Sequence, residues 1–121
     1  MINILLIDDN SGFRHLLKEM LKESTLNLNI VEADNPIEGL SQFHKYERKF
    51  DFIITDFFLP IQNGNDFLEI VKSHDKNICC LLISADESIQ YKNYPYVDHF
   101  FAKSDTLSLI KYLKMHSFLG I

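Results

Sequence analysis

Five short, mostly apolar runs recur along the sequence, and each ends at polar or turn-forming residues. Apolar and β-branched runs of this length are typical of strands buried on both faces, as they are in parallel sheets. The sequence therefore predicts five buried strands. They cover residues 2–7, 28–33, 52–55, 78–83 and 97–102.

The segments between these runs carry apolar residues three and four positions apart, which is the spacing of one helix face. Four helices with an inward apolar stripe are therefore expected. The stripes are Phe13, Leu16, Leu17, Met20 and Leu21; Ile37, Leu40 and His44; Phe67, Ile70, Val71 and His74; and Leu107, Ile110 and Leu113.

Residues at the predicted helix starts are of the types that cap helices. Asn10 or Ser11 is available for the first helix, and Asn35 followed by Pro36 begins the second. Asp105, or the serine before it, can cap the last helix.

Strands that alternate with helices predict right-handed crossovers and a parallel sheet covered on both faces. We therefore predict an α/β fold with a doubly wound, five-stranded parallel sheet. Residues 86–96 contain Asn93, Pro95 and several tyrosines, so the fourth of five helices should be shortened to one or two turns. The 121 residues are expected to form one domain.

Composition and charge exclude several classes of protein. The formal net charge is -5 without a basic cluster, so direct binding to nucleic acid is not expected. No apolar run reaches the roughly 18–20 residues that a membrane span needs, and no basic leader begins the chain. We expect a cytoplasmic protein that does not insert into membranes. The adjacent Cys79 and Cys80 should point to opposite faces of a strand as reduced, buried thiols.

Carboxylate, hydroxyl and amine side chains follow four of the five predicted strands. Because parallel strands end at one edge of a sheet, these side chains are expected to lie together. Carboxylates that share a site repel each other unless a cation relieves them, and a hard divalent ion, Mg²⁺ or Mn²⁺, suits oxygen ligands. The residues are Asp8 and Asp9, Asp56, Ser84 and Lys103.

A pocket of this composition suits a phosphoryl group. The metal and Lys103 would neutralise its oxygens, the Ser84 hydroxyl could donate to one of them, and Asp56 is placed to act as nucleophile. The expected product is an aspartyl phosphate.

Over the whole chain, the sequence resembles the receiver domain of two-component response regulators. The resemblance implies the flavodoxin-like strand order 2-1-3-4-5. It also implies a signalling domain rather than an enzyme. We expect one receiver domain over residues 1–121 with no effector domain, which either stands alone or is one piece of a longer protein. The matching residues are the acidic pair Asp8-Asp9, Asp56 with its spacing to Pro60 and Gly64, the pair Ser84-Ala85, the aromatic Phe100, and Lys103.

The resemblance further implies how the acidic residues would act. Asp56 would take a phosphoryl group from a phosphohistidine on a sensor histidine kinase or a histidine phosphotransfer protein. The metal would be bound by Asp9, Asp56 and the backbone carbonyl of Phe58, with Asp8 assisting through water.

A conformational switch is also implied by the resemblance. Ser84 would move toward the new phosphoryl group, and Phe100 would turn inward, which biases an existing equilibrium between two conformations. A downstream protein would read the change on a surface formed by the short fourth helix, the fifth strand and the last helix.

Two departures from the family pattern keep other functions open. Ser104 follows Lys103 where the family usually has proline. A cis bond before serine costs about 3 kcal/mol, so either a trans peptide or a strained loop is expected here. With the short fourth helix, this is evidence for a pseudo-receiver, an interaction module that is not phosphorylated, whereas the complete set of acidic residues is evidence against it. A Mg²⁺-dependent hydrolase that uses Asp56 is the other alternative, but Phe58 stands where such enzymes generally carry a second aspartate.

Overall fold

The computed structural model describes residues 1–86, 88 and 94–118. Within them, five strands form one parallel sheet in the order β2-β1-β3-β4-β5, with four helices between and after the strands. This confirms the predicted doubly wound, flavodoxin-like α/β fold. The elements are β1 (Ile2–Ile7), α1 (Ser11–Lys22), β2 (Leu28–Ala33), α2 (Pro36–Lys45), β3 (Phe52–Asp56), α3 (Gly64–His74), β4 (Cys79–Ser84), β5 (His99–Ala102) and α4 (Thr106–Phe118).

The strand boundaries differ from the predicted ones by one or two residues. β3 continues through Asp56, whose partner on β4 is Ile83. β4 begins at Cys79 and β5 begins at His99, each slightly later than predicted. The acceptor candidate Asp56 is therefore held by the sheet itself, and the loop begins after it.

Side chains alternate across the sheet into two buried clusters, one beneath each helical layer. Leu5 and Ile53 belong to one cluster, whereas Ile4 and Ile54 belong to the other. Cys80 lies in the first cluster and Cys79 packs against the second, so the predicted opposite orientation of the two thiols is confirmed. Both are free cysteines.

The predicted helix caps are confirmed. The Asn10 side chain accepts from the Phe13 N–H at 3.0 Å, and the Asn35 side chain accepts from the Glu38 N–H at 2.8 Å. Asp105 caps α4 by accepting from the Ser108 N–H at 3.2 Å. These bonds satisfy amides that would otherwise lack a partner in the first turn of each helix.

Parts of the predicted inward stripes were wrong. Leu16, Ile37 and Leu107 are 52%, 66% and 65% exposed, because the sector of each helix that faces the sheet is narrower than its apolar stripe. The structure buries Phe43, Leu68 and Leu109 instead and leaves His44 and His74 exposed.

The predicted short fourth helix falls mostly outside the described residues. Of residues 86–96, the structure describes 86, 88 and 94–96. The trans peptide expected between Lys103 and Ser104 is confirmed, since the described part of the chain contains no cis peptide bond. None of the described helices is both long enough and apolar enough to cross a membrane.

Gly64 allows α3 to begin directly against the end of β3. Its N–H donates to the Phe57 carbonyl at 2.8 Å. A Cβ atom at this position would lie 2.3 Å from the carbonyl oxygen of Asp56 and 3.0 Å from Leu82 Cδ1. Because the first of these contacts is to backbone, a larger residue would require β3 and α3 to move apart.

We expect Gly64→Ala to lower the free energy of unfolding by about 1–3 kcal/mol, because the added methyl group overpacks a backbone contact. Urea unfolding followed by circular dichroism measures the change. Gly12→Ala is the matched control: its Cβ would meet only the Asn10 side chain, at 3.3 Å, and alanine favours a helix by up to about 1 kcal/mol. Equal destabilisation by the two variants would contradict the steric argument.

Candidate functional site

Three carboxylates meet where β1 and β3 end side by side. Asp8 directly follows β1, and Asp56 is the last residue of β3. One oxygen from each of Asp8, Asp9 and Asp56 lies within 4.8 Å of the others. Asp8 is fully buried and Asp56 is 6% exposed, whereas Asp9 lies at the exposed rim. The structure thus brings together the acidic residues predicted from the strand ends.

Lys103 reaches the same edge from the end of β5. Its backbone N–H donates to the Ser84 carbonyl at 3.0 Å, which fixes where the side chain starts. Its ammonium nitrogen lies 2.6 Å from Asp8 Oδ2 and 3.2 Å from Asp56 Oδ2. The predicted placement of the lysine opposite the acids is confirmed.

The charges at this edge do not balance. Burial raises the pKa of Asp56 and the neighbouring Asp8 charge raises it further, while Lys103 and the Phe58 N–H partly oppose the shift. Burial lowers the pKa of Lys103, but its contacts with Asp8 and Asp56 outweigh burial, so the net shift is upward and the amine stays a cation. Among the residues that the structure describes at this edge, one ammonium therefore faces three carboxylates.

The donor set fits a hard divalent cation. Three carboxylates supply oxygen ligands, and the exposed position of Asp9 leaves one side open to the waters that Mg²⁺ keeps. A second cation would also relieve the repulsion between the buried Asp8 and Asp56. The residues present are therefore suited to Mg²⁺ or Mn²⁺.

Ser84 and Phe100 lie on the two strands next to this edge. Ser84 is fully buried at the end of β4, one residue beyond the partner of Asp56, and its Oγ accepts from the Asp86 N–H at 3.0 Å. Phe100 pairs with Leu82 on β4 and packs, half-buried, against the core on the α2 and α3 side. Leu82 and Ser84 lie on the same face of β4, two residues apart. Because Phe100 pairs with Leu82 and packs on that face, its ring is one pleat away from the Ser84 hydroxyl along the strand.

Phe58 contributes through its backbone and leaves its ring exposed. Its N–H donates to the Asp56 carboxylate, which favours the ionised form. The ring is 55% exposed and meets the Phe57 ring edge-on, with 4.8 Å between their centroids. The acceptor candidate is thus flanked by an apolar side chain at the loop surface.

Sequence reasoning missed three residues that support the site from α1 and its cap. The Asn10 N–H donates to Asp8 Oδ1 at 2.9 Å, and Arg14 donates to the Asp8 carbonyl while pairing with Glu32. The Phe13 ring lies beneath the Lys103 ammonium, 4.8 Å from centroid to nitrogen. Their position in the first turn after the acidic pair was the available signal.

Comparison with known proteins agrees with this geometry. A sequence profile described as the response regulator receiver domain matches residues 4–98. The chain belongs to the response regulator receiver family. Receiver domains are the phospho-accepting modules of two-component signalling, they generally depend on Mg²⁺, and they generally interact with histidine kinases or phosphotransfer proteins.

Individual receivers show how far the similarity extends. Chemotaxis protein CheY-3 of Vibrio cholerae is 32% identical over 87 residues, covering 70% of this chain and 65% of that protein. The two-component response regulator ARR13 of Arabidopsis thaliana is 29% identical over 86 residues, covering 70% of this chain and 15% of that protein. The solved structure of V. cholerae chemotaxis protein CheY4 superposes with a TM-score of 0.81 at 21% identity, covering 95% of this chain and 98% of that one.

The profile match ends before β5. Phe100 and Lys103 therefore lie outside the matched residues, and their assignment to the receiver pattern rests on spacing and on the fold. For Lys103, the contacts with Asp8 and Asp56 support the assignment by geometry, although the sequence match does not reach this residue.

With divalent metal removed by a chelator, we expect Asp56→Asn to raise the free energy of unfolding by about 1 kcal/mol at neutral pH. The pKa of Asp56 is raised, so its stabilising contribution is present while the carboxyl is protonated and is lost as pH rises through the folded-state pKa. The uncharged amide of Asp56→Asn does not lose stability in this way as pH rises. The difference in free energy of unfolding between the variant and the wild type should therefore shrink at acidic pH.

Urea unfolding across a pH series measures this difference. Asp9→Asn serves as the control, because Asp9 is exposed and its neutralisation should change stability little. A less stable Asp56→Asn variant at neutral pH would contradict the interpretation that repulsion and burial dominate at Asp56.

Proposed function

We propose that Asp56 accepts a phosphoryl group from a phosphohistidine on a sensor histidine kinase or a histidine phosphotransfer protein. The observation that carries this proposal is the buried Asp56 carboxylate, 3.2 Å from the Lys103 ammonium and grouped with Asp8 and Asp9. In a receiver domain, this arrangement provides a nucleophile beside positive charge at a strand end.

The transfer exchanges one bond to phosphorus for another. A carboxylate oxygen of Asp56 forms a bond to phosphorus as the bond to the imidazole nitrogen of the donor breaks. The imidazole leaves with the electron pair of that bond, and the product on this chain is an acyl phosphate. The carboxylate must be ionised to attack. Burial and the Asp8 charge raise the pKa of Asp56, and the contacts with Lys103 and the Phe58 N–H partly oppose that shift and favour the ionised form.

The metal site completes the proposal. Asp9, Asp56 and the backbone carbonyl of Phe58 would hold Mg²⁺ or Mn²⁺, with Asp8 assisting through water. When bound, the ion supplies positive charge that screens the phosphoryl oxygens from the carboxylates.

Lys103 and Ser84 have complementary tasks at the phosphoryl group. Lys103 lies on the Oδ2 side of Asp56 and would pair with a phosphoryl oxygen after transfer. The Ser84 hydroxyl would donate to another, moving toward the new charge. Phe100 packs one pleat from Ser84 and would turn into the space that this movement opens.

The chain would act as a signalling switch and not as an enzyme with turnover on other molecules. Its phosphoryl group would stay on Asp56 until slow hydrolysis removes it. While it remains, the conformation of the surface around β5 and α4 would determine binding to a downstream protein.

Intact-protein mass after incubation with acetyl phosphate tests the proposal. We expect one added phosphoryl group on the wild type that requires both Mg²⁺ and Asp56, and none on Asp56→Ala. Mass is the direct readout because the chain has no tryptophan for a fluorescence assay.

Asp51→Asn is the matched control. Asp51 precedes β3 at the amino-terminal end of the strand, far from Asp56, so this substitution should leave phosphorylation unchanged. A folded wild type that gains no phosphoryl group with Mg²⁺ from either acetyl phosphate or a phosphorylated histidine phosphotransfer protein would overturn the proposal. The same result would favour a pseudo-receiver.

The exposed ring of Phe58 provides a second test. If it shields the acyl phosphate from attacking water, Phe58→Asn should lose the phosphoryl group about threefold faster or more. Decay of the phosphorylated mass measures the rate. Ile61→Asn is the control, because Ile61 is a 76% exposed apolar residue of the same loop. An equal or slower decay in Phe58→Asn would remove the shielding hypothesis.

A further inference from the structure

The Phe13 ring forms one wall around the Lys103 ammonium. The nitrogen lies 4.8 Å from the ring centroid, within the roughly 6 Å at which a cation is attracted to an aromatic face. The same nitrogen lies 2.6 Å from Asp8 Oδ2 and 3.2 Å from Asp56 Oδ2. The ammonium is therefore held by two carboxylates and one aromatic face.

The ring is fixed to the same short segment as the acidic residues. The Phe13 N–H donates to the Asn10 side chain at 3.0 Å, and the Asn10 N–H donates to Asp8 Oδ1 at 2.9 Å. Phe13 is also half-buried against the core cluster that contains Leu17 and Leu21. Asp8 and the ring are thus positioned together by the cap and first turn of α1.

The Lys103 backbone is fixed by its bond to Ser84, but the side chain beyond it is flexible. It follows the last residue of β5, and its flexible four-carbon stem must span the end of β4 to reach Asp56. Ser104 comes next. A proline at this position would restrict the backbone of Lys103, whereas serine does not. The place of the ammonium therefore depends on side-chain contacts, and the Phe13 ring supplies one of them in addition to the two carboxylates.

We propose that Phe13 is a positioning residue for phosphoryl transfer to Asp56, acting through a cation–π contact that holds the Lys103 ammonium at the acceptor. This proposal rests on the proposed function of Asp56 as phosphoacceptor. The ring face restricts the positions of the ammonium before the reaction. The side chain therefore loses less conformational entropy when the ammonium pairs with a phosphoryl oxygen in the transition state.

Simple apolar packing of Phe13 makes a different prediction. A leucine at position 13 would retain apolar contact with the core but lose the negative ring face, whereas a tyrosine would retain the ring. Comparison of Phe13→Leu with Phe13→Tyr therefore separates the contact with Lys103 from packing.

The first experiment measures the rate of phosphorylation by acetyl phosphate at saturating Mg²⁺, followed by intact mass. We expect Phe13→Leu to be phosphorylated about three- to tenfold more slowly than the wild type, and Phe13→Tyr to be phosphorylated at about the wild-type rate. In a Lys103→Met background, Phe13→Leu should cause no further loss, because the group through which it acts is gone.

Phe43→Leu is the matched control for general loosening of the core. Phe43 is fully buried on α2, on the other side of the sheet from Phe13, and its replacement should leave the phosphorylation rate unchanged. A similar slowing in Phe43→Leu and Phe13→Leu would overturn the proposal, as would equal rates for Phe13→Leu and wild type.

A second measurement tests the contact without phosphorylation. In urea unfolding with a chelator and no phosphodonor, Phe13→Leu should shift the midpoint less in the Lys103→Met background than in the wild-type background. If the wild type takes up no phosphoryl group but this coupling is present, the proposed function fails and the contact stands. If phosphorylation occurs but Phe13→Leu and Lys103→Met act independently in both experiments, the positioning role fails alone.

Discussion

Repulsion among Asp8, Asp9 and Asp56 is the constraint around which the functional edge is arranged. Two of these carboxylates are buried at the ends of neighbouring strands, and burial makes their mutual repulsion stronger than it would be in water. Lys103 comes from the end of β5 and neutralises part of this charge. The remaining imbalance makes the site receptive to a metal ion and to the chemistry of a phosphoryl group.

The sheet supplies the rigidity that this electrostatic arrangement requires. Each strand is covered by apolar side chains on both faces, so β1 and β3 cannot separate to relieve the two carboxylates without exposing core residues. The strand order places β1 beside β3 and puts one strand between Asp56 and Lys103. The acids are therefore joined by adjacent backbone, whereas the lysine reaches them through its side chain.

Sequence patterns predicted the strands and the grouping of Asp8, Asp56 and Lys103 because both follow from chain connectivity and the parallel arrangement. The inward face of each helix was predicted less well, since helix rotation depends on packing volumes that periodicity does not contain; Leu16 and Leu107 show this. The contact of Phe13 with Lys103 could not be predicted, because it joins a ring on α1 to an amine after β5 through side-chain conformations. Ser84 was predicted from its place at a strand end, and Phe100 was predicted only from the resemblance to the receiver family.

The tight contact at Gly64 also bears on how such a domain can change during evolution. The carbonyl of Asp56 touches the first residue of α3 so closely that any side chain at position 64 disturbs the acceptor itself. In the loop before it, Ile61 projects into solvent and has room to vary. Position 64 can therefore change only at the expense of the acceptor, whereas an exposed position such as 61 can acquire a new binding partner without disturbing it.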